Sequence, residues 1–80
     1  MELIERVARV LAGQHYSRNA GNPQAGASAA DVVDARWTDF LDDALAVLKT
    51  IREPTEAMAF EGDAQAWHRM VEAAIAEAEG

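Results

Sequence analysis

Large apolar residues recur along this chain at spacings of three and four, and no segment alternates with period two. That spacing marks helices with one covered face. Leu3, Ile4, Val7, Val10 and Leu11 form the first run and predict a helix over residues 2–12. Glu2 and Glu5 suit the positive end of its dipole. Gly13 fits the left-handed position just past a helix C-terminus, although Gln14-His15-Tyr16 contains no breaker and allows extension to Tyr16. The second run is the longest: Val33, Trp37, Phe40, Leu41, Ala44, Leu45, Leu48 and Ile51. It predicts a helix from a cap at Ser28 to about Arg52, roughly 36 Å long. Asp31 completes a capping-box-like pair with Ser28. Lys49 and Arg52 suit the negative end, and Pro54 stops the helix. Thr55 then caps a short helix over residues 56–61, which Gly62 closes. Asp63 caps the last helix, residues 64 to about 77, where Trp67, Met70, Val71, Ala74, Ile75 and Ala78 share a stripe. Glu77 and Glu79 oppose the dipole there, so its last turn should fray.

No large apolar residue lies between Tyr16 and Val32, and Gly21, Asn22-Pro23 and Gly26 punctuate the stretch. Residues 17–27 are therefore expected to form a long loop, either a mobile linker or a contact element. The expected fold is all-α, one domain over residues 1–80. Its architecture is a small antiparallel bundle of three main helices plus one short helix. The expected core is Leu3, Val7, Leu11, Val33, Trp37, Phe40, Leu41, Leu48, Ile51, Met58, Trp67, Met70, Val71 and Ile75.

Composition tempers this picture. Of 80 residues, half are apolar, but 18 of those 40 are Ala, which leaves 22 larger side chains. A core of that size is marginal, and homodimerisation is a natural supplement. With no cysteine, a disulfide scaffold and a Cys-ligated zinc site are excluded. No apolar run is long enough for a membrane span. The start, Met1-Glu2-Leu3-Ile4-Glu5, lacks the features of a signal peptide, so the cytoplasm is the expected compartment.

Charge says more. The net charge is −7, which repels nucleic acid and anionic lipid. The acids are unevenly placed. Residues 31–63 hold nine acids against three bases, while residues 1–30 hold two against three. On a continuous helix Asp31, Asp39, Asp42 and Asp43 fall within an arc of about 120°, opposite the Trp37/Phe40/Leu48 stripe. Such a face can simply keep the domain soluble. It can also dock on a basic, nucleic-acid-binding partner, with Glu53 and Glu56 extending the surface.

Candidate chemistry adds little. His15 and His68 read as surface histidines, and no H-E-x-x-H pattern accompanies them. Ser17 near His15 lacks a nucleophile elbow, and Ser28 and Thr55 are explained by capping. Residues 21–26 lack the Gly-Lys-Ser/Thr of a phosphate loop. Asp39, Asp42 and Asp43 lie in a helix, without the glycine turn of a calcium loop. No catalytic residue, metal site or cofactor is expected.

Three segments carry a likeness: Ile4-Glu5-Arg6-Val7-Ala8-Arg9, Ile51-Arg52-Glu53-Pro54-Thr55-Glu56-Ala57-Met58 and Trp67-His68-Arg69-Met70-Val71-Glu72-Ala73-Ala74. Through them the chain resembles small helical proteins encoded by bacteriophages and prophages of proteobacteria. The stretch from Ser17 to Ala30 has no counterpart. The resemblance implies a phage or mobile-element origin and a setting inside the bacterial host cell, and it carries over no catalytic residue. Together with the charge, it makes a non-enzymatic protein that binds a host protein the expected function. An anti-CRISPR-like inhibitor docking on a CRISPR effector or another nucleic-acid-binding protein is its specific form. The alternative is a homodimeric structural or assembly protein.

Overall fold

The computed structural model describes residues 2–18 and 29–80, which are mostly helical with no strand among them. The elements are α1 (Leu3–Arg18), α2 (Ala29–Arg36), a 3-10 segment (Trp37–Phe40), α3 (Leu41–Ile51), α4 (Glu56–Glu61) and α5 (Ala64–Glu79). The all-α helical bundle expected from the periodicity is the architecture observed. None of the described helices is long and apolar enough to cross a membrane. The chain divides into two compact units, Met1–Ala44 and Leu45–Gly80.

In the first unit the buried line is Ile4, Ala8 and Ala12 on α1, joined by Ala44. Residues four apart share one helix face, so this is a line of mostly small side chains that lets neighbours approach closely. Leu3, Val7, Leu11, Val33, Trp37, Phe40 and Leu41 flank it, each partly exposed. Val10, expected on the covered face, is instead exposed. The buried line is rotated away from it toward the alanines. Gly13 does not end α1 either. The helix runs on to Arg18, no described glycine has a positive φ, and His15 and Arg18 occupy the last turn. The Arg18 cation there suits the dipole. Ser17 and Arg18, expected to begin the loop, are thus helical. The rest of that loop, and the Ser28 cap, lie outside the described residues.

The long second helix is not one α-helix. Arg36 has φ −124° and ψ 0° with no side-chain cap, and Trp37–Phe40 form a tighter 3-10 turn. Residues three apart eclipse one another in a 3-10 helix, so Trp37 and Phe40 project together. Both meet side chains of α1. The Arg9 guanidinium carbon lies 5.2 Å from the Trp37 ring centroid, and Phe40 lies 5.5 Å from His15 and 6.0 Å from Tyr16. These contacts offset the poorer hydrogen-bond geometry of the 3-10 turn.

In the second unit the core is Leu48, Val71 and Ile75, with Leu48 wholly buried. The end of α3 and the body of α5 run antiparallel. Trp67 Nε1–H donates to the Ile51 carbonyl at 2.7 Å, while Lys49, one half-turn earlier, reaches Glu79 at 3.9 Å. Local chemistry sets the helix ends. Thr55 Oγ1 accepts from the Met58 amide and starts α4, and the Asp63 carboxylate accepts from the Gln65 and Ala66 amides and starts α5. These bonds satisfy donors that have no partner within the helix. α5 is helical through Glu79, two residues beyond the expected end, and the Gly80 amide bonds the Ala76 carbonyl.

Three expected core residues of this unit are surface residues. Ile51, Met58 and Met70 are all exposed, Met58 by 44% and Met70 by 70%. α4 has only six residues, fewer than two turns. Met58 and Phe60 stand about 200° apart on it, so both cannot be covered. On α5, Met70 lies about 100° round from the buried Val71. Ile51 ends α3, where the helix stops before Pro54.

Candidate functional site

Arg9 organises the polar side of the first unit. From the middle of α1 it donates to Glu5 at 2.9 Å and to Asp34 of α2 at 2.6 Å, beneath the Trp37 ring. The two carboxylates stabilise the cation and raise its pKa above the ordinary arginine value, the Asp34 hydrogen bond contributing most. Sequence reasoning missed this group because Arg9 and Asp34 are 25 residues apart. The i,i+4 pair of Glu5 and Arg9 was its only local signal.

All six carboxylates expected at a partner surface are exposed. Asp31 stands in the first turn of α2, Asp39 in the 3-10 turn, Asp42 and Asp43 in the first turn of α3, and Glu56 in that of α4. Acids there complement the helix dipole, which is a local reason for their positions. The 3-10 turn advances about 120° per residue, so the arc drawn for a continuous helix does not carry across it. Asp39 lies 3.6 Å from Arg36. Asp42 and Asp43 have no ion pair among the described residues.

Glu53 and Glu56 belong to the second unit, where a polar chain links α3 to α5. Arg52 donates to Glu72 at 2.9 Å. His68 places Nε2 3.5 Å from Glu72 and Nδ1 3.3 Å from Glu53. His68 and Glu72 have i,i+4 spacing, a sequence signal that the surface-histidine reading passed over. The two carboxylates face different ring nitrogens and do not converge on one point. Among the described residues no group of three or more His, Cys, Asp or Glu is placed to hold a metal. His15 packs on Tyr16 and Phe40, and Ser17, two residues on, projects from a different side of α1. Residues at i,i+2 do not face each other, so the geometry does not make them a dyad.

Two grooves run along α4 and α5. The larger, about 620 Å³, is bordered by Glu53, Thr55, Glu56, Gln65, His68 and Arg69. The smaller, about 250 Å³, is bordered by Pro54, Met58, Asp63, Ala66, Trp67 and Met70. Trp67 has its one polar atom committed to Ile51, which leaves its ring as apolar lining. Sequence periodicity assigned Met58, Trp67 and Met70 to the core, whereas the structure brings them together at a surface. No family model, curated protein or solved structure matches the chain.

Proposed function

We propose that this chain is a non-enzymatic binding protein that sets exposed carboxylates against a basic, nucleic-acid-binding protein of a bacterial host. An anti-CRISPR-like inhibitor, acting in the host cytoplasm, is the specific form of this reading. The observation that supports it is the Asp39–Asp43 stretch, where three exposed carboxylates stand within five residues on helical turns. Asp42 and Asp43 make no ion pair among the described residues, so their charge is available to a partner. Carboxylates on a rigid turn can occupy the positions of phosphates on a basic surface and speed encounter electrostatically. The net charge of −7 disfavours direct binding to nucleic acid or anionic membrane.

The test is retention of host proteins on the immobilised chain from nuclease-treated lysate. Wild type should retain a basic nucleic-acid-binding protein, and D39K/D42K/D43K should lose it. Lysine in a first helical turn opposes the dipole by about 0.3–1 kcal/mol each. The neutral triple D39N/D42N/D43N, with helicity checked by circular dichroism, therefore runs beside it. Equal retention by all three chains contradicts the reading. A second reading, a homodimeric structural or assembly protein, draws on the exposed Val10, Met58, Phe60 and Met70. Sedimentation as an 8.7 kDa monomer at low micromolar concentration contradicts it.

A further inference from the structure

We infer that the smaller groove of the second unit receives a basic amphipathic helix of a partner protein. This rests on the reading of the chain as a binder of basic proteins and adds a second, apolar contact to it. Met58 of α4, Trp67 and Met70 of α5 and Pro54 before α4 form the walls. The two methionines are exposed although the sequence pattern marks them as core residues. At about 250 Å³ the groove is below the roughly 300–1,000 Å³ that encloses a small-molecule ligand, so it suits inserted side chains. Thioether walls are polarisable and unbranched, and they adapt to Leu, Ile or Phe anchors presented at helical spacing.

Charge fixes the rest of the occupant's chemistry. The segment that carries α4 and both its flanks has four acids, Glu53, Glu56, Glu61 and Asp63, and no Lys or Arg. Glu56 and Glu61 are exposed, without an ion pair among the described residues. Arg69, the nearest base in sequence to Met70, borders the larger groove. An apolar cleft bordered by Asp63, with Glu56 and Glu61 exposed on the same short helix as Met58, matches a segment whose anchors are flanked by Lys and Arg. A second copy of this chain would bring the same acids against themselves.

The experiment is fluorescence anisotropy with a fluorescein-labelled Leu/Lys amphipathic peptide of roughly 15 residues. A Lys/Ser peptide removes the anchors and a Leu/Glu peptide reverses the charge. The Leu/Lys peptide should bind, and both controls should bind at least about tenfold more weakly. M58S/M70S should lose at least about tenfold in affinity, whereas F60S, which removes an exposed apolar residue outside both grooves, should not. M70Q, close to Met in shape, repeats the test should the Ser pair lose helicity. No binding of the Leu/Lys peptide, or equal binding by wild type and the methionine variants, overturns the inference. So does a wild-type dimer that the methionine changes dissociate without any peptide affinity, since the occupant is then a second copy. Host-protein retention by D39N/D42N/D43N tests the acidic stretch separately. Lost retention in that variant without methionine-dependent peptide binding leaves the acidic reading standing and removes the groove. Unchanged retention together with methionine-dependent peptide binding keeps the groove and removes the acidic stretch.

Discussion

Replacing Gly13 by Ala gives opposite results for the two placements of that residue. In the structure Gly13 lies inside α1, five residues before its end at Arg18, without a positive φ. A helix-interior Gly is worth about 0.8–1.0 kcal/mol less than Ala, because its backbone loses more freedom on folding. There is also room for the methyl. A Cβ at Gly13 would meet Val33 Cγ2 at 4.0 Å, an ordinary van der Waals distance. The expected gain is therefore about 1 kcal/mol, which raises the melting temperature by about 4–8 °C in a domain of this size. Urea unfolding followed by far-UV circular dichroism measures it, with an unchanged slope showing that the midpoint reports stability. Were Gly13 the left-handed residue closing a shorter helix, Ala would cost about 1–2 kcal/mol. A midpoint that falls refutes the packing of α1 described here.

Leu48→Ala empties the one large side chain that is wholly buried among the described residues and should cost about 2–5 kcal/mol. That is a large share of the roughly 4–12 kcal/mol expected for 80 residues, and an unmoved urea midpoint would contradict it. Asp63→Ala should cost about 0.5–2 kcal/mol and Asp63→Asn much less, since Asn still accepts the Gln65 and Ala66 amides; equal losses would argue against capping. Arg9→Met keeps the apolar stem but removes the bonds to Glu5 and Asp34, so it should lower the melting temperature most at low salt. A loss independent of salt would rule out the ionic account. Because folding raises the Arg9 pKa through its two carboxylate partners, the arginine's contribution is fully present around neutrality and, on the alkaline side, is lost only as pH rises through the folded value. Near neutrality the Arg9→Met difference should stay flat with pH.

What could be read from the sequence was what depends on near neighbours. Thr55 and Asp63 start α4 and α5 through bonds to residues two and three away, Gly62 lies at the end of α4, and the structure shows those caps. Features set by distant contacts were hidden. The buried line of α1 runs through Ala8 and Ala12, residues too small to stand out in a hydrophobic pattern. The 3-10 turn depends on Trp37 and Phe40 reaching side chains of α1. A helical stripe also cannot say whether a facing element is long enough to cover it. Met58 and Met70 therefore look like core residues in the sequence and become groove walls beside the short α4. Glu72 was legible four residues after His68, but its bond to Arg52 needed the fold.

The most direct test of the account uses the scarcity of methionine. The chain has three, and Met58 and Met70 both border the small groove. In a titration of ¹³C-methyl-methionine-labelled protein with the Leu/Lys peptide, the Met58 and Met70 methyl signals should shift together and saturate with the anisotropy curve. Methyl signals that stay fixed while the peptide binds would contradict the account.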